Sequence, residues 1–351
     1  MADEGDGFVD RVWYGDGAFA SVSRAVLSPV ERVFRGVVGA RDILYDAGWL
    51  PTHETTIPVI SVGNLTVGGS GKTPISAWIA QGLAARGLKP SIVLRGYGAD
   101  EPLVHKHLNP DVPVVTNADR VLAVAEASRL GADIAVLDDA FQHRRVRRIA
   151  DLVLVSADQW TPEVHLLPAG PWREPLKAIR RATVVVVTRK AAGDKVVEAV
   201  HQRLSQIAPS VPRVSVRFEL GELTDIRDDT TTRPVASLAG ATIRAVLSIA
   251  NPGAFIRQLE QFGARVRPSI YPDHHNFSEA EVAKIASEHD GIDAFVCTLK
   301  DAVKLGPHWP RLAPSLWYVS QHVMVERGVG GIERLLDDVV RARRKTPSTA
   351  G

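Results

Sequence analysis

At 351 residues the chain is long enough for two domains with real cores. Its composition, 45% hydrophobic and 23% charged, is that of a folded globular protein, and a net charge of +2 does not by itself imply a nucleic-acid partner. No run of about 18 uncharged apolar residues would have to span a bilayer, and the acidic start, with Asp3, Glu4, Asp6 and Asp10, lacks the basic and apolar parts of a signal peptide.

Residues 1–25 carry no clear periodic signal. A helix is then expected to begin sharply, with Ser28 as N-cap, Pro29 at the first helical position and Glu31 completing a capping box. Val30, Val33, Phe34, Val37, Val38, Leu44 and Tyr45 recur at helical spacing, while Arg32, Arg35, Arg41, Asp42 and Asp46 fall largely elsewhere. Such a stripe either lies in a membrane interface or packs on the chain's own core, and the residue pattern alone favours the core.

The stretch that organises the chain follows. Residues 57–62 are an apolar, strand-like run, then come Gly68, Gly69, Ser70, Gly71, Lys72, Thr73 and Pro74, then a helical pattern. Strand, glycine loop and helix in that order suit a phosphate-binding loop. The glycines let backbone N–H groups converge on an anion at a helix N-terminus. Lys72 would reach the β- and γ-phosphates of a nucleotide, and the Thr73 hydroxyl would sit on Mg2+. The usual pattern has glycine where this chain has Thr66. The alternative is a plain glycine turn capping a helix.

Strand-like runs at 91–94, 112–115, 134–137, 152–155 and 183–187 then alternate with helical ones at 72–86, 119–130, 174–181 and 194–207, and 213–220 is one more strand. Alternation of this kind means βαβ units and a parallel sheet covered on both faces. Residues 221–240, rich in Asp and Thr, read as a linker or hairpin. A second series has strands at 242–249, 294–299 and 316–319 and helices at 252–262, 278–289 and 331–344. Ser278 with Glu281 makes a capping box, and Arg341, Arg343, Arg344 and Lys345 suit the negative end of the last helix dipole. The lone Cys297 lies in an apolar run and reads as a core thiol. The fold expected is α/β, a P-loop NTPase-like parallel sheet with helices on both faces, plus a smaller second α/β domain. The division expected is 1–50 as an amphipathic helical region, 51–220 as the P-loop domain, 221–240 as linker and 241–351 as the second domain.

Asp138 and Asp139 end an apolar strand. Two carboxylates there suggest a cation site, with a solvated turn as the alternative. His143, Arg144, Arg145, Arg147 and Arg148 form a basic knot that either holds an anionic substrate or faces solvent. Residues 166–175 are a proline-stiffened loop suited to placing Arg173 and Glu174, or an ordinary connection. Arg95, Gly96, Tyr97, Gly98, Ala99, Asp100 and Glu101 follow a strand, where an open sheet has its crevice, so Asp100 is a candidate base. Tyr271, Pro272, Asp273, His274, His275, Asn276 and Phe277 put adjacent imidazoles before a helix. Structural zinc is improbable there without further ligands, and a hydrogen-bonded His is the better functional idea. Residues 298–304, with Lys300, Asp301 and Lys304, are polar at another strand end.

Taken together, residues 62–74, 138–143, 167–174, 272–275 and 300–304 resemble the tetraacyldisaccharide 4'-kinase family, the lipid A 4'-kinases, over nearly the whole chain. Thr66 in place of the first glycine is what the family has. The resemblance implies ATP-dependent phosphorylation of the 4'-hydroxyl of a tetraacyldisaccharide 1-phosphate to give lipid IVA. It implies a peripheral place on the cytoplasmic side of the inner membrane, which favours the interfacial reading of the Ser28 helix. It also implies two domains closing over ATP and Mg2+. The residue roles expected are Asp100, His274 and Lys72 in catalysis; Gly68, Gly69, Ser70, Gly71, Lys72, Thr73, Pro74 and Arg173 on the nucleotide; and Thr73, Asp138, Asp139 and Glu174 on the metal. No nucleic acid and no obligate protein partner are expected. Ala140 and Ala99 stand where relatives commonly have glycine. A metallochaperone or partitioning ATPase would carry a lysine where Val67 stands, and a GTPase would show a guanine-reading motif that Thr188, Arg189 and Lys190 do not supply. A membrane scaffold that binds ATP without turnover is the rival outside the enzymes.

Overall fold

The computed structural model describes residues 4–96 and 98–345; Asp3, Tyr97 and the tail lie outside these, as do the side chains of Glu4, Asp6, Arg344 and Lys345. In chain order the elements are α1 (Glu4–Trp13), α2 (Ala18–Asp46), β1 (Val59–Asn64), α3 (Lys72–Ala84), β2 (Pro90–Leu94), α4 (Asp100–Leu108), β3 (Val114–Thr116), α5 (Arg120–Arg129), β4 (Ile134–Asp138), β5 (Ala150–Ser156), β6 (Val184–Arg189) and α6 (Asp194–Ile207). They continue as β7 (Arg213–Asp225), β8 (Asp228–Arg233), β9 (Thr242–Leu247), α7 (Pro252–Gln261), β10 (Arg265–Ile270), α8 (Glu279–Ser287), β11 (Ala294–Thr298), α9 (Leu299–Leu305), β12 (Leu316–Arg327) and α10 (Val329–Lys345).

By contacts the chain divides into two compact units. The larger holds Glu4–Tyr97, His105–Arg217 and the segment from Val325 on; the smaller holds Gly98–Val104 and Phe218–Met324. In the larger unit the strand order is β7-β6-β5-β1-β4-β2-β3, and every pair is parallel. β1, β2 and β4 are buried at every position, the pattern of strands covered on both faces. The apolar clusters around Phe141, Trp172 and Val200 and around Val59, Val124 and Leu137 fill this unit. In the smaller unit β10-β9-β11-β12 are parallel, and Leu223, Phe255, Leu259 and Val296 anchor its core.

The stretch 221–240 is a hairpin, β7 pairing antiparallel with β8. The residues 265–270 gave no strand signal because β10 is the edge, where charge and Pro268 are tolerated. The expected start at Ser28 is corrected. α2 runs unbroken from Ala18 with Pro29 inside it. Ser28 Oγ accepts from Arg32 rather than capping a helix, and Glu31 Oε1 accepts the Leu166 N–H at 3.0 Å instead of closing a box. Tertiary packing along the buried side of α2 overrides the local signal and the hydrogen bond lost at Pro29. The Ser278–Glu281 capping box is present as read.

Candidate active site

Parallel pairing brings the first two motifs together. β1 and β4 are neighbours in the register Val62↔Asp138, so the glycine loop after β1 and the carboxylates after β4 leave adjacent strand ends on the same edge. Gly68 (φ 108°) and Gly71 (φ 86°) take left-handed backbone that a side chain would strain. Asn64 Nδ2 donates to Ser70 Oγ at 2.8 Å, and Thr188 Oγ1 donates to the Ser70 carbonyl at 3.0 Å, pinning the loop from beneath. Gly71 is the N-cap of α3 and offers its first turn no side-chain acceptor. A helix N-terminus left uncapped in this way, with Lys72 opening the helix, fits a phosphate.

The proline-rich loop runs alongside. Its backbone bridges the glycine loop through Val67 N–H to Pro171 O at 2.8 Å and Arg173 N–H to Leu65 O at 2.7 Å. That clamp delivers Arg173. Its Nη1 lies 3.2 Å from both oxygens of Asp139, and Lys72 Nζ lies 3.7 Å from Asp139 Oδ1. Asp139 itself sits at φ 49° and is partly exposed.

Asp138 is buried. Oδ2 receives the His105 Nε2 hydrogen bond at 2.9 Å and Oδ1 accepts the Asp139 N–H at 2.9 Å. Burial works to raise its pKa, but His105 and the charge of Lys72 outweigh it and hold the carboxyl below its ordinary range. His105 was not legible as a partner, because nothing in its spacing points at Asp138. An anionic Asp138, the exposed Asp139 and the Thr73 hydroxyl suit Mg2+, which typically takes one or two carboxylates beside phosphate oxygens. Among the described residues no group of three or more His, Cys, Asp or Glu side chains gathers as a metal set.

Glu174 is elsewhere, which corrects its expected place on the metal. It is wholly buried, with Arg41 of α2 at 2.7 Å on Oε1 and Arg181 at 2.5 Å on Oε2. Two guanidiniums neutralise it as a structural ion pair. The basic knot is likewise engaged: Arg144 pairs with Asp46 at 2.6 Å, Arg147 with Glu54 at 2.9 Å and Arg148 with Asp151 at 2.9 Å.

The smaller unit gathers Asp100, His274 and Lys300. His274 Nδ1 lies 3.0 Å from Asp100 Oδ1. Asp100 is 4% exposed, and its Oδ2 is buried without a hydrogen-bond partner. Burial would raise the Asp100 pKa, but the His274 hydrogen bond and the charges of Lys300 and Lys304 prevail and keep it low, so it is a carboxylate at neutral pH. Gly98 is required by this pair, since a Cβ there would fall 2.4 Å from Asp100 Oδ1 and 2.9 Å from His274 Nδ1. His275 does not join it. It stacks on Tyr271 and pairs with Glu281 at 3.2 Å.

The chain as a whole is similar to known proteins. A family model described as LpxK, tetraacyldisaccharide-1-P 4'-kinase, matches residues 23–341. The tetraacyldisaccharide 4'-kinase of Anaeromyxobacter sp. (strain Fw109-5) is 38% identical over 331 residues, which cover 85% of this chain and 88% of that protein. The Geobacter sulfurreducens protein of the same name is 33% identical over 329 residues, covering 85% of this chain and 89% of its own. The crystal structure of an "apo" form of LpxK from Aquifex aeolicus in complex with ATP has a TM-score of 0.68 at 27% identity, over 91% of this chain and 99% of that one.

Proposed function

The chain belongs to the tetraacyldisaccharide-1-P 4'-kinase family and is a kinase-type enzyme, and from that premise we propose that it transfers the γ-phosphoryl of ATP to the 4'-hydroxyl of tetraacyldisaccharide 1-phosphate, giving lipid IVA. The glycine loop, Gly68 to Gly71, with Lys72, Thr73 and Pro74 in the first turn of α3, cradles the phosphates, and Lys72 and Arg173 supply positive charge to them. Thr73, Asp138 and Asp139 would hold Mg2+, which when bound would supply neutralisation of phosphate charge. Residues 51–220 carry this machinery, 1–50 meet the membrane, 221–240 link, and 241–351 contribute His274.

The observation that carries the acceptor half is the buried Asp100 Oδ2, an anionic oxygen with no donor, beside an Oδ1 held by His274. The acceptor O–H proton passes to this oxygen as the new O–P bond forms, the bond from the γ-phosphorus to the bridging oxygen breaks, and ADP leaves. His274 orients the base, as a third group does in a triad.

A lipid acceptor lives in a bilayer, and we infer that the protein sits peripherally on the cytoplasmic side of the inner membrane, with α2 supporting the membrane contact. Val22, Val26, Val30, Val33 and Val37 are all more than half exposed and fall within an arc of about 80° at helical pitch. Among the described residues no helix is long and apolar enough to cross a membrane.

Asp100→Ala and His274→Ala each should lower kcat by about 100-fold or more, roughly what one acid–base group supplies. The double variant should be little worse than the worse single, because the two act as a unit. ATP binding should hardly change. Fully multiplicative losses, or a near-normal kcat for Asp100→Ala, would move the base elsewhere, with Glu101 the next residue to test.

A further inference from the structure

A carboxylate facing Nδ1 requires a proton there but leaves open whether Nε2 carries one as well, so the Asp100–His274 contact alone does not set the charge of the ring. What faces the other nitrogen decides it. Lys300 Nζ lies 3.1 Å from His274 Nε2 and 2.9 Å from Asp273 Oδ1, with Asp100 Oδ2 at 4.0 Å. An ammonium has protons only, so the nitrogen it meets must offer a lone pair. A carboxylate has acceptors only, so the nitrogen it meets must offer a proton. The ring therefore carries its one proton on Nδ1, toward Asp100.

Lys300 is not a loose surface lysine. It stands in the first turn of α9, whose N-cap Thr298 accepts the Asp301 N–H. Asp301 is fully buried and accepts from the Ser248 N–H at 2.9 Å and from Thr298 Oγ1 at 2.8 Å, fixing the helix start. Lys304, one turn on, contacts Ser248 and Asp301, which leaves Lys300 as the α9 side chain that reaches the imidazole. His274 meanwhile sits at φ 60°, a conformation that must be held by its partners.

We propose that Lys300, anchored by Asp273, is a positioning residue that keeps Nε2 of His274 unprotonated, so that the ring stays the neutral Nδ1–H form and holds Asp100 with Oδ2 turned to the acceptor. This deepens the reading of Asp100 as base and rests on it. The groups facing the imidazole pull in opposite directions. The Asp100 hydrogen bond raises its pKa, burial and the Lys300 charge lower it, Asp273 raises it, and the balance is upward. A second ring proton would appear on Nε2, against the ammonium, so protonation of His274 displaces Lys300.

The test is nitrogen-15 NMR of the imidazoles, with His274 assigned by its loss in His274→Gln, alongside kcat as a function of pH. In the parent the neutral His274 ring should be the Nδ1–H form. In Lys300→Met the neutral ring should keep its Nδ1 proton toward Asp100, a second proton should appear on Nε2 at higher pH than in the parent, and kcat at neutral pH should fall by about 10- to 100-fold, the usual loss for an orienting partner. The acid limb of the kcat profile should move to higher pH, with KM for ATP within about twofold. Lys300→Arg should recover part of the loss. An unchanged His274 spectrum and pH profile in Lys300→Met would overturn the proposal. Should that variant not fold, Lys300→Gln, which removes the charge and keeps a polar end, should move spectrum and kcat the same way by less, and no movement would likewise overturn it. Failure of the underlying reading is separate: it shows as a near-normal kcat for Asp100→Asn, whatever the tautomer.

Discussion

Asp139 and His274 are the two non-glycine residues with left-handed backbone among those described, at φ 49° and 60°. Each such conformation costs about 1–3 kcal/mol and survives only where neighbours impose it. Here the neighbours are Lys72 and Arg173 for Asp139, and Asp100 and Lys300 for His274. Strain and candidate chemistry coincide at both. Gly98 is the least conspicuous member of the same arrangement, since it carries no group at all. Gly98→Ala should force Asp100 and His274 apart and cost about 100-fold in kcat, the scale of an ångström-sized misplacement, with thermal stability and ATP affinity little changed. A normal kcat in that variant would mean that the pair takes no part in turnover.

α2 shows what periodicity can and cannot say about an element. Val30, Val33, Phe34, Val37 and Val38 read as one stripe, because a 3.6-residue repeat marks apolar positions without separating two adjoining faces. In the structure they part. Phe34 packs on the core around Phe141 and Trp172, and Val38 is buried, while Val30, Val33 and Val37 are exposed. Core packing and an interfacial face are therefore both present on the one helix. Val26→Glu with Val33→Glu should leave the protein folded and release it from anionic vesicles in a flotation assay. Phe34→Glu with Val38→Glu should instead destabilise the fold, since it buries unpaired charge. If the exposed-face variant floats with vesicles as the parent does, α2 is not the anchor. The charged side of the helix grips the larger unit: Arg41 holds Glu174, and Asp42 and Asp46 hold Arg181 and Arg144. That grip is why Glu174, plausible as a ligand beside Arg173 in sequence, lies buried in an ion pair.

Across the whole molecule, the features legible in the sequence were those whose cause is local. The glycine loop, the strand ending in Asp138 and Asp139, and the alternation that makes the larger sheet parallel each follow from a short run of residues. What escaped depends on distant partners. α4 holds few apolar residues to mark it, β10 is an edge strand, and His105 meets Asp138 only once the chain has folded. Lys300 was visible as a polar residue at a strand end, but its role required the position of Nε2 of His274. The most direct measurement is thin-layer detection of labelled phosphate moving from [γ-32P]ATP to tetraacyldisaccharide 1-phosphate in detergent. The parent protein should give a labelled lipid in an Mg2+-dependent manner. Lys72→Ala should give none, because the contact to the β- and γ-phosphates is gone. ATP binding without any labelled lipid from the parent, or full transfer by purified Lys72→Ala, would contradict the account.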